Sequence, residues 1–385
     1  MITGLKVKNF KCLKDDDFYL SKINVFAGRN GIGKSSLLQS MLLIAQSLDD
    51  NGLLKAVKMN GSYLQMGTYR DVLSKGGSDN HIYIRLTSDD SPNGDFVELI
   101  LAEGEDPSMA TIFDLKTQQI DSSLDVPSTN AGNSGELTQM KAQASVDVTS
   151  AQPPIMQLQN VYFVSADRKG PVNTQKLDPS VMLGNVGVHG ENVLNVLHRG
   201  GENLQKNAQK ALTYIMKQSS LNMKEVNNDL QLFLDSVNNS DGFKPVNVGF
   251  GYSYLLTIIL TMLVAETKSK IFIENPEAHL HPGAQSRLVD FLFEKAKEKS
   301  LQLFIETHSE NIFNAVRRAS LSGFGILPEE VKTYFFYDNE NAPLKYKEIE
   351  MGADGSLNEF PTDFFDQTRQ ELREIMNIVS NQRGK

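Results

Sequence analysis

The sequence predicts an α/β fold with a largely parallel sheet, and three observations carry that prediction. An apolar run, Ile23–Phe26, passes through a glycine-rich stretch at 28–33 into a helical pattern from Ser35 to about Ser47. A second run, Lys270–Ile273, ends in carboxylates, and a third, 303–305, leads past a histidine into another helical pattern. Strands that alternate with helices put their crossovers on the faces of a parallel sheet.

The elements follow in order. Leu5, Val7 and Phe10 alternate roughly, so residues 1–27 read as strands. Residues 53–115 read as mixed strands and turns, with 81–86 and 96–101 the clearest strands. From about Thr117 to Pro154 the chain is rich in Gln, Ser, Thr, Asn and Ala and has no aromatic residue, the composition of a flexible insertion. Val161–Val164 resumes the strands. Helical patterns follow over 192–197, 204–217 and 254–265, and another runs from His308 to about Arg318. Tyr334–Tyr337 and 344–349 read as strands of a small C-terminal unit, closed by a helix from about Thr368. The expected division is 1–116, a first lobe; 117–155, the insertion; 156–330, a second lobe; and 331–385, the C-terminal unit.

Composition narrows the setting. The chain has 385 residues, 40% of them hydrophobic and 22% charged, and no apolar run reaches the roughly 18 to 20 residues of a membrane helix. Met1–Lys14 alternates apolar and basic residues, unlike a signal peptide. The single cysteine, Cys12, leaves no room for an internal disulfide framework or a cysteine-based zinc site. A cytoplasmic protein with no membrane partner is expected. The net charge of -9 argues against a protein that coats nucleic acid, although lysines cluster at 6, 8, 11 and 14 and arginines at 317–318.

Residues 28–35, Gly-Arg-Asn-Gly-Ile-Gly-Lys-Ser, match the phosphate-loop pattern at every fixed position. Glycines let the backbone turn its N–H groups toward phosphate oxygens, and the helix that follows adds its positive end. Lys34 would reach the β- and γ-phosphates, and the Ser35 hydroxyl would ligate Mg2+. A chance match somewhere in such a chain is roughly a one-in-a-hundred event, and the strand–turn–helix setting lowers that further.

Phosphoryl transfer also needs an acid for Mg2+ and a group that orients water. Glu274 ends an apolar strand, where open α/β sheets bind ligands, and is the candidate to serve the metal through water. Asn275 beside it cannot take a proton, which makes Glu277 the nearest ionisable alternative. His308 ends another apolar strand. A lone histidine there is more often structural, but its position one strand after Glu274 brings it into the candidate set.

Leu5–Lys11, then Ile23–Phe26, then GRNGIGKSSLL at 28–38, resembles the opening of the ABC-type ATPase heads of SMC, RecF and OLD proteins. IENPEAHLHP at 273–282, followed by FIETHS at 304–309, resembles the Walker B, D-loop and switch-histidine segments of the OLD-like group. Val331–Tyr337 and Gly355–Gln367 resemble stretches of stand-alone OLD-like ATPases that end in a short C-terminal unit. The resemblance covers roughly 1–75 and 160–370.

It implies an ABC-type P-loop ATPase head, a mixed sheet flanked by helices. Arg29, Asn30, Gly31, Gly33, Lys34, Ser35 and Ser36 would cradle ATP and Mg2+, and Gln65 would contact the Mg2+ and the attacking water. Val248–Ser253 stands where the family keeps its signature, so Gly249, Gly251 and Ser253 would face the γ-phosphate held by a second head. Glu274 becomes the Walker B acid and His308 the switch residue. Asp167 and Arg168 resemble a recurring segment to which no role attaches.

Departures matter too. Asn275 stands at the usual catalytic glutamate position, so hydrolysis is expected to be slow or to use Glu277, and Gly249 replaces the signature serine. No heptad pattern suggests SMC-like arms. No acidic nuclease domain follows, so a nuclease would be a separate protein.

The favoured expectation is the ATPase subunit of a prokaryotic anti-phage defence or toxin–antitoxin-like system. ATP would close a head-to-head homodimer or higher oligomer that controls a separate effector. A RecF-like DNA repair ATPase, with nucleic acid across the heads, and an ATP-dependent scaffold with little turnover stay open. A metal hydrolase built on His279 and His281 is disfavoured by the complete phosphate loop.

Overall fold

The computed structural model describes residues 1–29, 31–77, 79–89, 95–117, 153–170, 172–217, 219–235, 242–337, 346–359 and 367–383. Asn30 and most of the predicted insertion, 118–152, lie outside the described residues.

In chain order the strands are β1 (Ile2–Phe10), β2 (Leu13–Tyr19), β3 (Ile23–Gly28), β4 (Ala56–Lys58), β5 (Ile82–Ser88), β6 (Asp95–Glu103), β7 (Met109–Thr117) and β8 (Val161–Val164). They continue with β9 (Thr174–Lys176), β10 (Ser220–Val226), β11 (Asp229–Asp235), β12 (Lys270–Glu274), β13 (Gln302–Thr307), β14 (Val331–Phe336) and β15 (Tyr346–Glu348). The helices are α1 (Lys34–Ala45), α2 (Tyr69–Val72), α3 (Pro153–Met156), α4 (Val193–Arg199), α5 (Gly201–Met216), α6 (Gly251–Val264), α7 (Pro282–Glu298), α8 (Glu310–Leu321) and α9 (Gln367–Arg383).

The chain divides into two compact units, Met1–Phe18 with Ser40–Gln159, and Tyr19–Gln39 with Asn160–Lys385. The first carries a six-stranded sheet in the order β2-β1-β5-β6-β7-β4. Its pairings β1–β5, β5–β6, β6–β7 and β4–β7 are all antiparallel. β5 alternates strictly, with Ile82, Ile84 and Leu86 buried and the residues between them half-buried, as a strand with one face on a core must.

The second unit carries the phosphate-loop strand. Its main sheet runs β15-β14-β3-β13-β12-β8. The pairs β14–β3, β3–β13, β13–β12 and β12–β8 are parallel, and β15 alone is antiparallel. The expected parallel sheet is therefore here, whereas the other unit's pairings are antiparallel, β5–β6 and β6–β7 between consecutive strands. β14 pairs along the whole of β3 and is part of the loop-bearing sheet.

β3, β12 and β13 are buried almost throughout, as parallel strands covered on both faces must be. On one face Ile23, Val25, Ile271, Ile273, Leu303 and Ile305 share a core with Leu256 and Ile259 of α6, Leu288 and Leu292 of α7, and Val316 of α8. On the other, Phe272 and Phe304 stack with centroids 4.5 Å apart.

Caps fix where the flanking helices begin. The Ser309 side chain accepts from the N–H groups of Asn311 and Ile312 at the start of α8. His281 does the same for Gly283 at the start of α7, where Pro282 occupies the first helical position. Sequence reading gives no element at α7 and none at the three-stranded sheet β10-β11-β9. Two adjacent asparagines, Asn227 and Asn228, turn the β10–β11 hairpin with φ of 54° and 65°, the backbone a two-residue hairpin needs.

Candidate nucleotide site

The parallel register brings four strand ends to one edge. β3 ends in the glycine loop, β13 in Glu306-Thr307-His308, β12 in Glu274, and β8 runs into Ala166–Arg168. That carboxyl edge is where sheets of this kind bind ligands.

The loop needs its glycines. Gly28 has φ of 124°, and a Cβ there would lie 2.0 Å from the Phe336 carbonyl oxygen of β14. Gly31 and Gly33 take φ of 77° and 118°, angles that side chains resist. α1 starts as the Leu37 N–H donates to the Gly33 carbonyl at 3.1 Å. By helix geometry, the first N–H groups of α1 have no intrahelical partner and face the loop.

Lys34 is buried, 2% exposed, and its Nζ donates to the loop carbonyls of Gly28, at 3.1 Å, and Arg29. Burial holds its pKa below the usual lysine value, against the opposing charges of Glu306 and Glu277. The Ser35 Oγ–H donates to Glu306 Oε1 at 2.8 Å. Glu306 is 5% exposed, and its other oxygen, Oε2, is buried with no hydrogen-bond partner among the described residues. Burial and then the charge of Glu274 push the Glu306 carboxyl up to about 7, while the Ser35 hydroxyl and Lys34 pull the other way.

Glu274 Oε2 accepts from the Ala166 N–H at 3.0 Å. Asn275 takes a left-handed backbone, φ 45°, and its N–H donates to the Glu306 carbonyl at 2.8 Å. Its Oδ1 is buried without a partner among the described residues. Arg168, which sequence reading leaves without a role, fixes this turn: Nη1 donates to the Glu274 carbonyl at 3.1 Å and Nη2 to that of Asn275 at 2.6 Å. Burial lowers this guanidinium to about 10, so it stays charged at neutral pH.

Glu277 spends both carboxylate oxygens on the end of β13, accepting from Thr307 Oγ1 and from the His308 N–H, each at 2.8 Å. His308 Nδ1 lies 2.8 Å from the Gly28 carbonyl, so Nδ1 carries the donated proton and Nε2 keeps its lone pair in the neutral ring. Desolvation and the Lys34 charge lower the pKa of this imidazole and favour that neutral form.

The stretch 248–253 connects to the same turn. Gly251 opens α6, and a Cβ there would lie 2.5 Å from the His279 carbonyl oxygen. Phe250 and Tyr254 pack on the His279 ring at 5.8 and 4.6 Å, and Arg168 lies 5.4 Å from the Tyr254 ring centre. His279 is thus an aromatic spacer and His281 a helix cap. Gly249, Gly251 and Ser253 sit at this helix start, while Gln65 belongs to the other unit, where its amide donates to the Gly61 carbonyl at 2.8 Å.

The residues fit a magnesium–triphosphate group. A glycine loop with a buried lysine suits the phosphates, and Ser35 beside the unpartnered Glu306 oxygen suits the cation. Among the described residues no group of three or more His, Cys, Asp or Glu is arranged to hold a metal ion. A magnesium ion, which keeps most of its ligands as water and phosphate, asks only one or two oxygens of the protein.

Glu306 is the site residue that sequence reading passes over. The available signal was a carboxylate at the end of a strand buried on both faces.

The chain has the fold of an SMC-type ATPase head. It is similar to an SMC head bound to the C-winged helix domain of ScpA, at 13% identity and a TM-score of 0.54, over 91% of this chain and 97% of that one. It is also similar to the Pyrococcus furiosus Smc head domain with an extended coiled coil bound to the C-terminal domain of ScpA, at 12% identity and a TM-score of 0.52, over 99% of each chain. No curated protein matches the chain. Residues 326–375 match the model of a protein family of unknown function, DUF3696. Residues 23–314, which hold the loop, the signature, Glu274 and His308, match a further model, and the chain belongs to that family, described as "AAA domain, putative AbiEii toxin, Type IV TA system".

Proposed function

We propose that the chain binds ATP with Mg2+ on the loop 28–36, hydrolyses it, and uses the nucleotide to control a separate effector protein in an anti-phage or toxin–antitoxin-type system. The observation that carries the reading is the junction of Lys34, Ser35 and Glu306 at the carboxyl edge of the parallel sheet. Lys34 and the loop N–H groups neutralise the phosphates, and the cation, when bound, draws charge from the γ-phosphate. Glu274, whose Oε2 accepts from the Ala166 N–H, serves that cation through water. His308, held by its backbone N–H on Glu277 and by Nδ1 on the Gly28 carbonyl, keeps Nε2 free to accept or donate beside the loop.

Asn275 supplies no base, so turnover is slow, and a nucleotide-bound state persists long enough to act as a signal. In that state two copies associate through the stretch at Gly249–Ser253. The family description supports the toxin–antitoxin context. No helix among the described residues is long and apolar enough to cross a membrane, and the reading assigns the work to the cytoplasm.

The test is steady-state ATP turnover with sedimentation in the same buffer. Glu274→Gln is expected to lose at least about tenfold in turnover and to accumulate a nucleotide-dependent dimer, while Glu277→Gln, which loosens His308, loses less. Parent-like turnover in both variants, or a chain that stays monomeric with ATP, contradicts the assignment. A companion protein recovered equally with and without ATP contradicts effector control.

A further inference from the structure

The carboxylate nearest the phosphate loop is not the one at the end of the Walker B-like strand. β13 lies directly beside β3, pairing Glu306 with Phe26, whereas β12 is one strand further away and pairs Glu274 with Glu306. With strands about 4.8 Å apart, the Glu274 backbone stands about 10 Å from β3, and that of Glu306 stands half as far. Side chains follow the same order. Glu306 Oε1 already accepts from Ser35 Oγ at 2.8 Å, and Glu274 Oε2 is directed to the Ala166 N–H on the far side of β12, on β8's flank.

Glu306 Oε2 is buried, lacks a partner among the described residues, and belongs to a residue only 5% exposed. A fold that buries a carboxylate and leaves an oxygen bare pays desolvation that a cation would repay. We propose that Glu306, with the Ser35 hydroxyl, is the direct protein ligand of the nucleotide's divalent cation, and that Glu274 acts on the cation from one shell further out.

The assignment rests on the loop being a magnesium–ATP site. It exchanges the role that local pattern gives to the end of β12 for one set by sheet order. It also accounts for the short reach between the two strands: the Asn275 N–H holds the Glu306 carbonyl at 2.8 Å, which fixes the backbone that presents the carboxylate.

The test is calorimetric titration of the full chain with ATPγS, once in EDTA and once in magnesium, repeated with manganese and read by electron paramagnetic resonance. The parent binds more tightly with the cation. Glu306→Gln, close in shape, is expected to keep the EDTA affinity and to lose about tenfold or more of the cation-dependent tightening together with the bound manganese signal, whereas Glu274→Gln loses less of the tightening than Glu306→Gln and keeps a bound manganese signal. Glu306→Asp keeps the charge but withdraws it by one methylene, and is expected to fall between Gln and parent. Parent-like tightening in Glu306→Gln or in Glu306→Asp, or an equal loss in Glu274→Gln, overturns the proposal. A parent that binds no nucleotide in either buffer overturns the ATP reading along with it, so the two failures are told apart by the EDTA arm.

Discussion

Buried in the sheet and beside Glu274 on the adjacent strand, the Glu306 carboxyl is pushed up to about 7, against 4.5 for an ordinary glutamate, even though the Ser35 hydroxyl pulls it down. That difference sets a pH dependence for the nucleotide-free protein. Below pH 4.5 both folded and unfolded chains are protonated at this position, and its contribution to stability is complete. Between 4.5 and about 7 the unfolded chain ionises while the folded one resists, so the contribution is lost as pH rises, to a total on the order of 3 kcal/mol. Glu306→Gln cannot ionise. Its thermal stability relative to the parent is therefore expected to grow from pH 5 to pH 8, and a parent–variant gap that stays constant over that range contradicts the account. Lys34 and Ser35 are legible from the sequence because the loop's chemistry is local: a few consecutive residues must turn, donate and carry charge. Glu306 is not, because its environment is made by β3 and β12, which lie far from it along the chain.

At the scale of elements, the apolar strands were readable because a strand buried on both faces has to be apolar along its length. Val161–Val164 falls on the residues expected, and β12 and β13 extend the expected runs only by their polar ends. α7 escapes reading because its first turns carry Gln285, Ser286 and Arg287, and its apolar stripe begins only at Leu288. The hairpin β10–β11 goes unread although Leu230, Leu232 and Leu234 alternate along β11 and Asn227–Asn228 mark its turn, because β10 carries Ser220, Asn222, Lys224 and Glu225 among its seven residues. β12 and β13 hold Glu274 and Glu306 in register partly through the Phe272–Phe304 stack, in which both rings are fully buried. Phe304→Ala removes that ring and leaves a cavity, and is expected to cost about 3–5 kcal/mol in urea unfolding. A loss under about 1 kcal/mol would mean the sheet is not held by this contact.

At the scale of the molecule, the strand order β14-β3-β13-β12-β8 is what converts separate motifs into one site. Each strand contributes its carboxyl end, and parallel pairing puts those ends on the same edge. The sequence showed which segments carry chemistry, and the family resemblance suggested that they converge. Their neighbour relations, and with them the prominence of Glu306 over Glu274 beside the loop, depend on long-range pairing that local periodicity does not encode. The division into two units behaves likewise, since Tyr19–Gln39 joins strands more than a hundred residues away.

The account depends first on the loop gripping a nucleotide through Lys34. The most direct measurement is equilibrium titration of the full chain with ATP and magnesium, beside Lys34→Ala. The parent is expected to bind with a Kd in the micromolar range, about -8 kcal/mol, and Lys34→Ala to lose at least about tenfold. A parent that takes up no nucleotide, or a Lys34→Ala chain that binds as tightly as the parent, contradicts it.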